Sequence, residues 1–372
     1  MSGSLGVSVL RERHQRVRRM TSELRTGTTD THGTPENPKA APEISVVIVT
    51  SNGRQHLEAC LRAVAAQDGV SAETILVDNA STDGTVDFVR ARFPEVRIVA
   101  LGENRGFAGG NNAGAREARG DFIAFLNNDT VAEVGWLRAL RGGVDVRTGW
   151  MLVTSRIVYM HDANVIDSAG DGLFRSGGAF KRYHGEPAHA AGTSGEVFGI
   201  CGAGCLMPKA VFDELGGFDA DFFASHEDVD LSYRARLRGY RCGYVAEAVV
   251  RHHGSATIGR ISPFAVFHGQ RNLEWVYLKN TPASLLVRTL PGHLLYNLIA
   301  AAHFTRFGLL GTFVRAKGAA LAGIPRMLRK RAIVQRASTV RARGIEPYLE
   351  RRWLAAKVRE KRFDVGLAEN VR

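Results

Sequence analysis

The sequence predicts an α/β protein built on a mostly parallel, doubly wound sheet, and three observations carry that expectation. From Ile44 onward, short β-branched runs alternate with segments of helical spacing; the runs are apolar throughout instead of alternating with polar residues; and they end on clusters of Ser, Thr, Asn and Asp. Continuous apolar runs suit strands buried on both faces. Alternation with short connections implies parallel strands joined by right-handed crossovers. The first run, ISVVIVT, is followed by LEACLRAVAAQ, where Leu57, Cys60, Leu61 and Val64 recur at helical spacing. ETILVDNAS supplies a second strand, TVDFVRARF a helix, VRIVAL a third strand, GGNNAGAREA a helix and FIAFL a fourth strand.

Composition sets the frame around that core. A chain of 372 residues with 45% hydrophobic content buries a sizeable core without disulfides. Cys60, Cys201, Cys205 and Cys242 form no C-x-x-C pair, so they are expected to be buried, inert thiols in a reducing compartment. Residues 326–362 hold 13 Lys/Arg against 3 Asp/Glu, and residues 1–25 hold 6 against 2, so the two ends account for more than the whole net charge of +12. With a near-neutral middle and no aromatic interleaving, nucleic-acid binding is not expected. Residues 1–43 are read as a disordered basic leader, too poor in large apolar side chains to pack. Its arginines precede no apolar stretch of the kind a secretory signal needs, which places the catalytic part in the cytoplasm.

In doubly wound sheets ligands bind at the carboxyl ends of the strands. Three of those ends are polar here: Thr50-Ser51-Asn52, the stretch from Asp78 to Gly84, and Asn127-Asn128-Asp129. Turn and cap chemistry accounts for any one of them, and Ser81-Thr82-Asp83-Gly84 reads as a turn and cap. Together, with Asp78 and Asp129 emerging directly from buried strands, they read as a site. Neither a G-x-G-x-x-G fingerprint nor a Walker A lysine motif is present. A carboxylate such as Asp78 can accept from a base N–H or a ribose hydroxyl, and Asp129 can hold a hard divalent cation against a diphosphate. The expected ligand is a nucleotide diphosphate.

The second half supplies further acids. GGFDADFFASHEDVDLSYRARLRGYRCGYV opens an amphipathic helix at Glu227-Asp228, with Val229, Tyr233 and Leu237 on its inner side. Acids in a first helical turn also suit the helix dipole. AEAVVRHHGSA ends in His252-His253; imidazole is a frequent divalent-metal ligand, and a strand-end histidine is also an ordinary structural residue.

VVIVTSN, ILVDNASTDGT, ENRGFAGGNNAG, FLNNDT, GGFDADFFASHEDVDLSYR and VVRHHGSA, in this order between Ile44 and Asn280, resemble family 2 glycosyltransferases of the GT-A fold, most of all their bacterial rhamnosyltransferase-like branch. The resemblance implies a GT-A domain over residues 44–280. It implies inverting transfer of a sugar from a nucleotide-diphosphate donor, dTDP-rhamnose or a UDP-sugar, to a saccharide or polyprenyl-linked acceptor in cell-surface polysaccharide synthesis. Thr50 and Asp78 would contact the nucleobase and ribose, with Asn52, Asn127, Asn128 and Asp129 completing the donor-binding set. Asp129 would be the last acid of the metal-binding D-x-D element, His252 a second ligand of Mg2+ or Mn2+, and Asp228 the catalytic base. Gly202 and Gly204, in GICGAG, and Glu227 are placed on the acceptor side. The first D-x-D position is Asn127, which brings no charge, so modest cation affinity is expected. A catalytically silent sugar-nucleotide binder would keep Asp78 without needing Asp228. A nucleotidyltransferase would carry a Gly-rich phosphate loop longer than SNGRQ.

Residues 281–372 are expected to be helical and basic. The longest stretch free of Lys, Arg, Asp and Glu, between Arg288 and Arg306, is broken by Pro291, Gly292, His293, Asn297 and His303 and is short for a membrane span. Leu294, Leu295, Leu298, Ile299, Phe304 and Phe307 instead suggest helices that lie against the inner face of the cell membrane, with the cations from Arg326 to Arg331 toward anionic lipid.

Overall fold

The computed structural model describes residues 41–254, 262–354 and Lys357. Residues 1–40, residues 255–261, which include the close of the VVRHHGSA segment, and residues 355–372 apart from Lys357 lie outside the described residues. The apolar runs form β1 (Ile44–Thr50), β2 (Ala72–Asp78), β3 (Arg97–Ala100) and β4 (Phe122–Asn127), separated by α1 (Arg54–Ala65), α2 (Thr85–Arg92) and α3 (Gly106–Glu117). β1 pairs in parallel with β2 and β4, and β2 with β3, the pattern expected for fully buried β-branched strands. Leu57, Cys60, Leu61 and Val64 of α1 are all buried against this sheet. Gly110 and Gly114 let α3 lie close on it: a Cβ there would stand 2.7 Å from Val49 and 2.5 Å from Val47.

After β5 (Thr130–Ala132) and α4 (Trp136–Gly143), the sheet continues through β6 (Trp150–Tyr159). The segment that follows contains β7 (Ile166–Ser168), β8 (Asp171–Phe174) and β9 (Ala179–Lys181). β10 (Gly195–Val197), β11 (Gly204–Pro208), α5 (Lys209–Glu214), α6 (Glu227–Leu237) and β12 (Arg241–His252) follow. The sheet order is β10-β12-β6-β11-β4-β1-β2-β3, with β5 on β12 and β7 on β6. β11 runs antiparallel to both β4 and β6, and β12 parallel to β6, so the sheet is mixed in its second half. All four cysteines are buried and free.

The carboxyl-terminal region is α7 (Pro263–Asn280), α8 (Ala283–Arg306), α9 (Leu310–Ala322), α10 (Ile324–Arg336), α11 (Ala342–Ile345) and β13 (Leu349–Glu350), the last pairing with β8. A second apolar cluster joins Leu173, Phe222, Val229, Tyr233, Trp275, Leu285, Met327 and Leu349, so these helices share a core with α6. α8 runs 24 residues, through Pro291, and is the one described helix long and apolar enough to cross a membrane; only 11% of its apolar window is buried. Leu285, His293 and Tyr296 pack inward, while Val287, Leu290, Leu294, Leu295 and Leu298 face solvent at 44–74% exposure.

Candidate active site

Register brings the predicted strand ends together. Thr50 lies opposite Asp78 and Val49 opposite Asn127, so the three polar endings share one edge of the sheet. Thr50 is buried, and its hydroxyl accepts from Asn128 Nδ2 at 2.9 Å. Gly53 permits that contact: a Cβ there would fall 2.0 Å from Asn128 Nδ2. Asn52 takes a left-handed φ of 53°, and its Oδ1 accepts from the Thr82 amide at 2.8 Å, so this side chain spans the first two strand ends. Asp78 is buried, with its carboxylate 3.3 Å from the Ser81 amide. Asn79, next in the chain, bridges to Asn104, the Arg105 amide and the Gly106 carbonyl, fixing the start of α3 to the same edge.

Asp129 and His252, 123 positions apart in the chain, face each other at 3.3 Å between Oδ1 and Nε2. Strand β5 pairs with β12 and sets Thr130 against His252, which is why the two meet. The other ring nitrogen of His252 lies 2.8 Å from Asp167 Oδ2. Asp167 is itself held by Lys181 Nζ at 2.8 Å, and its carbonyl meets His184 Nδ1 at 2.8 Å. Burial works against a charged His252, but the hydrogen bonds and charges of Asp129 and Asp167 outweigh it and raise its pKa to about 9. Burial likewise opposes ionisation of Asp129 and Asp167, and both are nevertheless held below the usual carboxylate range, Asp129 through His252 and Asp167 through Lys181, His184 and His252. His56 and His253 stack beside this group, ring centroids 4.7 Å apart.

A divalent cation would displace the proton that Asp129 and Asp167 favour on His252, after which the Asp129 carboxylate and the freed ring nitrogen form a suitable donor pair. Asp129 supplies a charged oxygen, and a carboxylate behind a histidine, here Asp167, is the usual device that aims the opposite ring nitrogen at a metal. Among the described residues no group of three or more His, Cys, Asp or Glu converges as a complete ligand shell, so a cation held here would draw its remaining ligands from a diphosphate and water.

Asp228 sits in the first turn of α6. Its Oδ2 accepts from the Gly202 amide at 3.0 Å and its Oδ1 from its neighbour Val229 at 2.8 Å. The Gly202 turn is in turn tied to the shared strand-end edge, because the Asn127 amide donates to the Ala203 carbonyl at 3.2 Å. Burial raises Asp228 above the usual aspartate value, and the two amide bonds only partly offset it. Gly202 therefore holds the acid, while Gly204 lies in β11, where a Cβ would press on Ser155 and Val250. Glu227 is 6% exposed, its Oε2 has no hydrogen-bond partner, and burial reinforced by Asp228 pushes it well above the ordinary range. Asp171, also buried, is raised in the same way by burial and Asp228.

The loop that delivers α6 is strained. Phe223, Ser225 and His226 take left-handed φ values of 64°, 71° and 69° without being glycine. It is gripped from two sides. Ala108 of α3 donates to the Phe223 carbonyl at 3.1 Å, and Gly106 makes room, since a Cβ there would sit 2.3 Å from that oxygen. From α7, the fully buried Asn272 directs Nδ2 to the carbonyls of Phe222, Ala224 and Ser225 at 2.9, 2.9 and 2.7 Å.

Sequence reasoning missed Asp167, Asp171 and Asn272. A signal was present for the first two, acids inside the otherwise apolar run VIDSAGDGLF. Asn272 had none, since an asparagine within a helix reads as a surface residue.

A mixed sheet whose carboxyl edge presents Thr50, Asp78 and Asp129, with an acidic helix start beside them, defines the GT-A class of glycosyltransferases. Among solved structures, GalNAc-T7 with UDP, GalNAc and Mn2+ is 16% identical and aligns at a TM-score of 0.51 over 65% of this chain and 48% of its own. TarS 1-349 of S. aureus is 17% identical and aligns at 0.50 over 82% and 89%. These likenesses show the fold. The model of Glycosyl transferase family 2 matches residues 45–216, a little under half of the chain, and the protein is a glycosyltransferase. The N-acetylglucosaminyl-diphospho-decaprenol L-rhamnosyltransferase of Mycobacterium tuberculosis is 28% identical over 247 residues, 58% of this chain and 78% of the relative.

Proposed function

We propose that the protein is an inverting glycosyltransferase of cell-surface glycan synthesis. It takes a sugar from a nucleotide diphosphate and passes it to a saccharide or polyprenyl-linked acceptor at the inner face of the membrane. The observation that carries this reading is the connection Asn127–Ala203–Gly202–Asp228, which puts the one raised, amide-held aspartate of α6 on the turn that adjoins the diphosphate edge. The name of the mycobacterial relative supports a lipid-linked saccharide as acceptor, and rhamnose as the sugar.

Asp228 takes the proton from the acceptor hydroxyl as that oxygen attacks the anomeric carbon on the face opposite the leaving diphosphate. A positioned base of this kind contributes about 10² to 10⁴ in rate. The Gly202 amide keeps the carboxylate oriented, and its raised pKa makes it a better proton acceptor than a solvated aspartate. Thr50, Asp78 and Asn128 hold the nucleoside, Asn52 braces their loops, and Asn127 borders the diphosphate. Asp129 and His252 are the residues for Mg2+ or Mn2+, a role supported by the Mn2+ in the GalNAc-T7 structure; when bound, the cation offsets charge on the departing diphosphate. Glu227, its pKa pushed up by burial and by Asp228, and Gly202 border the acceptor. We read residues 44–280 as the catalytic unit and the region beyond as the membrane-contacting part, on the strength of the exposed apolar face of α8 and the cations of α10.

The test is a thermal-shift panel of sugar nucleotides with Mg2+ and Mn2+, followed by transfer assays on the responsive donor. A ligand at a hundred times its dissociation constant stabilises by about 2.7 kcal/mol. Asp228→Asn should keep the donor response and lose transfer by at least about 10²-fold; a variant with near-normal turnover would remove Asp228 from the role of base.

A further inference from the structure

Behind the acidic start of α6 lies a cavity of about 240 Å3 that the reaction described above does not use. Its walls are Leu273 of α7, Tyr296, Ile299 and Phe304 of α8, and Trp353 with Leu354 beyond β13. His226, two residues before Asp228, closes its inner end. Burial, then the charges of Lys357 and Lys317, lowers the pKa of His226 to about 4, so that end carries a neutral ring at physiological pH.

Two features show the space is kept open. Gly269 stands in the interior of α7, where glycine is disfavoured against alanine, and it faces the cavity. No close approach of backbone demands it, for a Cβ there would find its nearest neighbour, His226 Cε1, at 3.9 Å. Gln270, beside it, has a buried Oε1 without a hydrogen-bond partner. The cavity is also continuous with the outer apolar surface: Ile299 and Leu354 line it and are themselves 38% and 52% exposed, and α8 carries the Val287–Leu298 face on its far side. A mainly apolar space that is lined at one end by His226, two residues before Asp228, and that reaches a lipid-compatible helix is shaped for a chain lying between the two.

We propose that this cavity binds the hydrocarbon chain nearest the phosphate end of a lipid-linked acceptor, so that the acceptor sugar is presented to Asp228 while the remaining chain leaves along α8. The proposal rests on the glycosyltransferase reading and adds the location and chemistry of the acceptor's tail site. A second copy of the chain or a soluble saccharide is the competing occupant, and the experiment separates them.

The probe is farnesyl phosphate, added to the full chain below its micellar range, with dodecyl phosphate, inorganic phosphate and methyl rhamnoside as comparisons. Binding is read by calorimetry and by the emission of Trp353, which lines the cavity. Farnesyl phosphate is expected to bind and shift that emission, dodecyl phosphate to bind if any hydrocarbon suffices, and the two water-soluble compounds to do neither. Gly269→Leu fills the space without a backbone clash and should weaken farnesyl phosphate by at least about tenfold, the equivalent of two buried methylenes. Ala300→Phe fills it from α8 as an independent variant. Nucleotide diphosphate binding should stay within about twofold in both, well under the 1.4 kcal/mol of a tenfold change. Absence of farnesyl phosphate binding in a protein that still binds its sugar nucleotide, undiminished binding in both filled variants, or binding of methyl rhamnoside displaced by Gly269→Leu would each overturn the proposal. Loss of sugar-nucleotide binding in the unmodified chain would instead overturn the glycosyltransferase reading beneath it.

Discussion

Asn272→Ala is the substitution that tests how the catalytic aspartate is held. The loop from Phe222 to His226 contains three left-handed residues that are not glycine, each costing about 1–2 kcal/mol. Asn272 opposes that strain with one amide nitrogen set against three carbonyls, at 2.7 to 2.9 Å. Its two hydrogens amount to two good bonds, each worth about 0.5–1.5 kcal/mol net, and a buried carbonyl left without a donor adds about 1–3 kcal/mol. The loss is therefore about 2–6 kcal/mol, comparable to the strain, and the loop should relax. Asp228 would leave the Gly202 amide, and turnover should fall by about 10² or more, as for loss of a general base. Sugar-nucleotide affinity, assigned in the proposed reading to Thr50 and Asp78, should hold within about twofold. The assay is kcat beside the donor Kd by calorimetry. Asn272→Asp serves as the control: it keeps the oxygen that accepts from Arg271 Nε at 2.9 Å but cannot donate to the carbonyls, so it should be no better than alanine. A kcat within about threefold of the parent in the alanine variant, far less than loss of the base should cost, would refute the reasoning, as would a loss expressed in donor affinity.

Asp129→Ala should weaken donor binding and cation dependence together, whereas Asp78→Ala should weaken donor binding alone; calorimetry with and without Mn2+ distinguishes them. Asp167→Asn, which touches no substrate in this reading, should reduce cation affinity by about 10–100-fold by loosening His252, measured by Mn2+ titration. The pH profile follows from the raised Asp228: the base must be ionised, so kcat/KM should fall as pH drops through a value above the ordinary aspartate pKa of about 3.9, and an acid limb at or below that value would contradict the burial argument. Leu294→Asp with Leu298→Asp places two charges on the exposed face of α8 and should abolish flotation of the full chain with anionic vesicles, each buried leucine being worth about 1.5–3 kcal/mol; unchanged flotation would assign that face another role.

β1, β2 and β4 were legible because a parallel strand buried on both faces has to be an unbroken apolar run, and these runs have little else they can be; β3, at the sheet edge and only half-buried, was placed by the alternation of strand and helix. Their register followed, and with it the shared edge of Thr50, Asp78 and Asn127. The second half was harder. β7, β8 and β9 are three or four residues long, shorter than any periodicity, and their segment reads as loop because its glycines and charges outnumber its apolar side chains. In the site, the Asp129–His252 pair was anticipated as two ends of one chemistry. Asp167 stands out as an acid in its own segment, but its meeting with His252, 85 residues away, is invisible to any local pattern. Gly202 was expected to make room for an acceptor; its nearer task is to donate its amide to Asp228, which depends on backbone direction and leaves no mark in composition.

The clamp around Lys279 carries a consequence for how the protein comes into being. Lys279, 2% exposed, binds Asp219 and Asp230, each at 2.7 Å, joining the loop before α6 to α6 itself. From α10, Lys330 meets Asp219, Arg331 donates to the carbonyls of Leu278 and Thr281, and Gln335 to that of Asn280. The nucleotide edge, by contrast, draws its predicted contacts from residues before 132. On the ribosome the donor half can thus be finished roughly two hundred residues before the acid it serves is fixed in place, the chain emerging at ~5–20 residues per second. A polypeptide stopped short of α10 would lack the contacts of Lys330, Arg331 and Gln335 that brace the clamp, so in this reading the acid is the last part of the site to be fixed.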